Sequence, residues 1–202
     1  MDSWISITRS AILAIDYYLK PSLPEEIKRF DPPSRLDIAN QISFKYADYN
    51  KALNVSEPYI KNIISSVKLS GLHKHVLVDV KVLELKKDSY PCLPNWHLDC
   101  TMSPDRDGRN EIHHLFIFGA DCKTKFVISP VSIPIINGRL VKVGHAIKEQ
   151  LPKITRINEC SITRYDRFGL HAPSLAGESG IRLLIRVTEN DFVQPIRIKD
   201  PK

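Results

Sequence analysis

Nowhere in the 202 residues does an apolar run approach the roughly 20 residues needed to span a bilayer as a helix. The N-terminus carries Asp2 early and interleaves Ser and Thr with its apolar residues, which is not the pattern of a signal peptide. The expectation is a cytoplasmic protein with no membrane partner. The four cysteines, Cys92, Cys100, Cys122 and Cys160, form no C-x-x-C pair and no zinc-ribbon spacing, so reduced thiols are expected. There is no block of like charge. Twenty-nine Lys and Arg against 23 Asp and Glu leave a net +6, spread along the chain. That balance permits an anionic partner, nucleic acid included, without demanding one. Internal repeats and low-complexity segments are also absent.

What is present is ordinary for a globular protein: 43% hydrophobic and 26% charged residues. The length suits a single domain, 1–202, with a substantial core. Residues 1–71 read as a helical support. Ile5, Ile12, Ile15 and Leu19 predict a helix over 3–19, ended by Pro21. Ser22-Leu23-Pro24-Glu25 fits a capping box, and Ser34 with Asp37 offers another. Ala39, Ile42, Tyr46, Tyr49 and Leu53 give the second of these an apolar stripe, predicting one long helix. A further helix after Ser56 buries Ile60, Ile63, Ile64 and Val67 and stops near Gly71.

After Gly71 the period changes to two. Val76, Val78, Val80 and Val82 alternate with Leu77, Asp79, Lys81 and Leu83. Ile112–Gly119 and Lys125–Ser129 read as strands, Pro130–Gly138 as a connection, and Val141–Leu151 as a helix or a strand followed by one. Ile154–Tyr165 is extended, with Cys160 and Ile162 opposite Ser161, Thr163 and Tyr165. In Gly180–Glu189, Ile181, Leu183, Ile185 and Val187 face the N-terminal helices, while Arg182, Leu184, Arg186 and Thr188 face the other way. Helices followed by short strands argue an α+β fold with an antiparallel sandwich or small barrel. Residues 191–202 form a polar tail.

The chemistry centres on Asn95-Trp96-His97-Leu98-Asp99. On a strand, His97 and Asp99 point to one face and supply two ligands of a facial metal triad. Pro91 and Pro94 suit a strand entering from an edge. His171, in Phe168-Gly169-Leu170-His171-Ala172-Pro173, is the third candidate, and a hairpin brings it to the same cavity as Arg182.

His97-x-Asp99, His171 and Arg182 in Gly180-Ile181-Arg182-Leu183-Leu184-Ile185 together resemble the Fe(II)/2-oxoglutarate-dependent dioxygenase superfamily, over roughly residues 75 to 190. The resemblance implies a double-stranded β-helix, or jelly-roll, catalytic core at 72–190. Its mainly antiparallel strands would carry the N-terminal helices on the outer face of one sheet. It also implies Fe(II) on His97, Asp99 and His171, and 2-oxoglutarate as co-substrate with its distal carboxylate on Arg182. The implied activity is hydroxylation of an unidentified small-molecule or anionic substrate, with release of succinate and CO2. Many members carry Ser or Thr two residues after the arginine. Leu184 stands there, so Tyr90, Asn95 or Thr124 would have to supply the second contact.

Other readings remain open on the residues alone. His97, His171 and Arg182 each suit structural roles, with Glu178 or Asp79 as acids for the arginine. His145 is the rival third ligand. His113 and His114 are adjacent and face opposite ways, and His73 and His75 are expected in solvent. Arg106, Arg109 and Lys123 suit a solvated polar loop or the mouth of the site, and Cys100 is expected to point away from the metal. The alternatives to an oxygenase are a cupin-like metalloprotein without 2-oxoglutarate and a non-catalytic jelly-roll binding protein.

Overall fold

The computed structural model describes residues 15–99, 111–136 and 139–195. The described chain opens with strands β1 (Ile15–Leu19) and β2 (Glu25–Arg29), then α1 (Arg35–Ala39), β3 (Phe44–Asp48), α2 (Tyr49–Val55) and α3 (Pro58–Ser65). The long strand β4 (His75–Leu85) follows, then β5 (Ile112–Phe118), β6 (Thr124–Val127), β7 (Val131–Ile136) and β8 (Arg139–Leu140). Helix α4 (Val143–Gln150) precedes β9 (Ile154–Arg156), β10 (Ser161–Asp166), β11 (His171–Pro173) and β12 (Gly180–Asn190). This is a mostly antiparallel β protein with few helices, compatible with a β-sandwich. No helix among the described residues is long and apolar enough to cross a membrane.

A six-stranded antiparallel sheet in the order β2-β10-β5-β12-β4-β3 is the backbone of the molecule. Its two faces differ because side chains alternate along each strand. Val78 and Val80 of β4, Phe116 of β5, Ile162 of β10 and Leu183, Ile185 and Val187 of β12 pack against Ile38, Ala52, Ile60, Ile63 and Ile64 of the helices. Each fully buried aliphatic side chain there contributes about 1.5–3 kcal/mol. Phe116 anchors the centre, with edge-on contacts to Phe30 and Tyr59. The opposite face meets the small sheet β11-β6-β9 through Leu115, Ile117, Tyr165 and Phe126. A third sheet, β1-β7-β8, joins α4 around Leu19, Val127, Ile133 and Ile147.

Gly119 lets the chain turn from β5 back to β6. Its φ is +88°, and a Cβ there would collide with the Ile181 carbonyl.

The period-two segments behave as expected, and so do α3, the Ser34–Asp37 capping box and the two faces of β12. The remainder of the N-terminal reading is corrected. Residues 15–19 form β1, not helix, because β7 supplies backbone partners and Leu19 is buried while Tyr18 is exposed; residues 3–14 lie outside the described range. Glu25 starts an exposed edge strand on β10 rather than closing a capping box with Ser22. The expected long helix after Ser34 is broken by β3, which takes the free edge of β4 through a bulge between Phe44 and Ala47. Residues 1–71 thus contribute strands to the sheets as well as helices. Helix α3 ends at Ser65, and Gly71 turns with φ +69° before β4. Pro130–Gly138 holds β7, and residues 154–165 split into β9 and β10 around Cys160, which has φ +57°.

Candidate metal centre

A cavity of about 630 Å³ lies on the face of the six-stranded sheet away from the helices, within the range of small-molecule sites. Its lining includes His97, Asp99, His171, Thr124, Arg182 and Arg186. The arginines are there because β12 alternates: with Leu183 and Ile185 turned into the helical core, Arg182, Leu184 and Arg186 must face the cavity.

The two histidines are brought together by backbone pairing. The segment after Pro91 and Pro94 is irregular, and His97 alone forms an antiparallel bridge with His171. The His97 N–H donates to the His171 carbonyl at 2.9 Å, and the His171 N–H donates back at 3.0 Å. The two rings lie 4.4 Å apart. Each Nδ1 meets a carbonyl two residues earlier: His97 that of Asn95 at 2.9 Å, and His171 that of Gly169 at 2.7 Å. In a neutral ring this places the proton on Nδ1 and leaves the Nε2 lone pair free.

Both Nε2 atoms point at Asp99. His97 Nε2 is 3.7 Å from Oδ1, His171 Nε2 is 3.3 Å from Oδ2, and the three donors lie within 4.8 Å of one another. Metal–ligand bonds of about 2.1 Å at right-angled to tetrahedral geometry set donors about 3.0–3.4 Å apart. The His171–Asp99 pair already falls in that range, and the His97 donor would close on it by a few tenths of an ångström or more. Donor type and spacing therefore fit a divalent metal.

Asp99 is held in its charged form. Burial pushes its pKa up, but Arg186 and His171 outweigh this and hold the carboxyl well below the usual range. Arg186 Nη1 lies 2.5 Å from Oδ2, and the Tyr165 hydroxyl donates to the same oxygen at 2.8 Å. Burial and the neighbouring Asp99 charge push the Tyr165 phenol far above its ordinary value, so it stays a donor. Burial, together with the nearby His171, lowers the pKa of His97. Both effects favour the unprotonated, ligating form.

Arg182 has different surroundings. It is 3% exposed, and among the described residues its hydrogen-bond partner is the Cys122 carbonyl, reached by Nε at 3.2 Å. Burial lowers its pKa. Neither acid considered from sequence neutralises it. Asp79 pairs with Arg186 instead, at 2.6 Å, and Glu178 lines a separate groove. With no carboxylate partner among the described residues, this buried guanidinium calls for an anion.

The remaining candidates divide clearly. Thr124 is buried and lines the same cavity as Arg182. Asn95 is corrected: it is exposed, lies outside the cavity lining, and serves through its carbonyl on His97. Tyr90 and Lys123 line another groove, where Lys123 pairs with Asp121. His145 is on α4, exposed and paired with Glu149 at 2.9 Å, so it is no rival ligand. His113 stacks on Tyr165 and meets the Thr188 hydroxyl, while His114 faces Glu189. Contrary to expectation, the His73 side chain is buried, 3.4 Å from Asp191. Cys100, Arg106 and Arg109 lie outside the described residues.

Sequence reasoning missed Tyr165 and the role of Arg186, and gave Asp79 to Arg182 where the fold pairs it with Arg186. The signal was available: all three occupy cavity-face positions of alternating strands. No family model, curated protein or solved structure matches the chain.

Proposed function

We propose that this protein is an Fe(II)- and 2-oxoglutarate-dependent oxygenase that hydroxylates an unidentified substrate. The proposed core is a double-stranded β-helix, in which the six-stranded sheet and the β11-β6-β9 sheet enclose the site. One observation carries the reading: two imidazoles and a carboxylate converge at a cavity that also contains a buried arginine with no acid partner among the described residues. His97, Asp99 and His171 would hold the iron, a ligand set that leaves coordination positions open. Arg182, with Thr124 in the same cavity, would hold the distal carboxylate of 2-oxoglutarate through its planar fork. Together, the bound iron and co-substrate would supply, with dioxygen as the oxidant, oxidative decarboxylation to succinate and CO2, one oxygen atom going to succinate and the other into a substrate C–H bond.

The chain's own residues do the positioning. The Asn95 and Gly169 carbonyls orient the two imidazoles. Leu115 and Leu184 give the cavity apolar wall that excludes water, and Lys45 and Lys81 line it on the β3–β4 side. That basic edge suits an anionic substrate.

Leu184 favours a second reading, a cupin-like metalloprotein that binds no 2-oxoglutarate, because it places no hydroxyl beside Arg182. Anaerobic addition of Fe(II) and then 2-oxoglutarate separates the two. A visible metal-to-ligand charge-transfer band, lost in Arg182→Ala with iron retained, supports the oxygenase. Iron binding without the band supports the cupin. Equal iron retention by wild type, His97→Ala and His171→Ala overturns both. Succinate release against a panel of candidate substrates then addresses the substrate.

A further inference from the structure

Arg186 is tied down from both sides. Directly across the β4–β12 ladder is Asp79, whose Oδ2 accepts from Arg186 Nε at 3.1 Å and Nη2 at 2.6 Å. The other oxygen of Asp79 accepts the Tyr46 N–H at 2.6 Å, at the bulge where Tyr46 adopts φ +55°. The third guanidinium nitrogen, Nη1, reaches Asp99 Oδ2, which also accepts from the Tyr165 hydroxyl. Each Asp99 oxygen faces one imidazole: Oδ1 lies 3.7 Å from His97 Nε2, and Oδ2 lies 3.3 Å from His171 Nε2 while also holding the guanidinium.

We propose that Arg186 is a positioning residue that restricts Asp99 to ligation through Oδ1 alone, which keeps one more coordination position open to exogenous ligands. This rests on the metal reading above. The physical reason is that Oδ2 already accepts two strong hydrogen bonds, one from a cation. Ligation through both oxygens would displace the guanidinium and bring two positive charges together. Asp79 prevents the guanidinium from swinging aside, because it holds the other edge of the fork. A lysine could make one of these contacts but not all three.

The test uses Mn(II) alone with the full chain, counting metal-bound exchangeable waters by electron–nuclear double resonance in 17O-labelled water. An octahedral ion held by His97, Asp99 Oδ1 and His171 carries about three waters, and two-oxygen ligation leaves about two. Wild type is expected at the higher count and Arg186→Met at the lower, with Mn(II) affinity equal or up to about tenfold tighter because a nearby cation is gone. Tyr165→Phe is expected to keep the wild-type count, since Arg186 still engages Oδ2. Should Arg186→Met fail to fold, Asp79→Asn/Arg186→Met removes the stranded Asp79 charge and gives the same readout. A wild-type count of about two overturns the proposal. So does an unchanged count on removal of Arg186, a fall caused by Tyr165→Phe alone, or Mn(II) binding weakened more than about tenfold by loss of Arg186. The metal reading fails separately, if His97→Ala and His171→Ala bind Mn(II) as wild type does.

Discussion

Arg182 and Arg186 stand four positions apart on the same strand, with only Leu184 between them on their shared face, yet they meet opposite environments. Arg186 lies between Asp79 and Asp99 and is bonded to both. Arg182 is more deeply buried, and among the described residues it meets the Cys122 carbonyl and no carboxylate. The first is a satisfied ion cluster, whose individual members cannot be removed without stranding a charge. The second is a charge with no acid partner among the described residues, which burial makes unfavourable. The difference is one of partners: Arg186 is neutralised within the fold, and Arg182 is the arginine that the proposed function assigns to an anionic ligand.

The largest effect is expected on the satisfied side. Arg186→Met strands Asp79 and Asp99 and should reduce unfolding stability by about 3 kcal/mol in the metal-free protein, read as a lower denaturant midpoint with unchanged slope. Arg182→Met removes a buried cation that has no carboxylate partner among the described residues, so the same measurement should show little loss or a gain. Instead it should weaken 2-oxoglutarate by about a hundredfold or more, equivalent to about 3 kcal/mol, in the charge-transfer titration. If both variants lose stability equally, the contrast between the two sites is gone.

The pH dependence sharpens the same contrast. The folded-state pKa of Asp99 is held well below its unfolded value, chiefly by Arg186 working against burial. Its contribution is present above the unfolded pKa and is lost as pH falls through the folded one. Arg186→Met should therefore flatten the acid limb of the metal-free stability profile. His113 adds a separate slope. Burial lowers its pKa from 6.5 to about 3, so the unfolded chain takes up a proton that the folded chain refuses. Stability should fall as pH drops from about 6.5 toward 3 by up to about 1.4 kcal/mol per pH unit. His113→Gln should remove that slope in urea titrations at stepped pH.

The smallest expected effect is a gain. Leu184→Ser places a hydroxyl between the two arginines and should tighten 2-oxoglutarate by a few fold, about 0.5–1.5 kcal/mol for one net hydrogen bond. No change in the titration would mean that Thr124 already makes the second contact.

Much of the site was legible from sequence because strand periodicity is local chemistry. Val78 and Val80 in β4, and Leu183, Ile185 and Val187 in β12, had to take one face once either strand formed, which sent Asp79, Arg182 and Arg186 to the other. The Ser34–Asp37 cap was equally local, since both of its hydrogen bonds join residues three apart. What tertiary structure alone decided was everything that depends on a distant partner. Residues 15–19 and 25–29 became strands because β7 and β10 offered unpaired backbone to them. β3 interrupted an apparent helical stripe because the edge of β4 was open. His171 reached His97 through a two-way backbone bridge across 74 positions of chain. Whether an arginine on a cavity face finds an acid depends on where Asp79 and Asp99 lie in three dimensions, and β12 written out alone distinguishes neither Arg182 nor Arg186. The periodicity of the strand set which way each side chain points, and the assembled sheets set what it meets there.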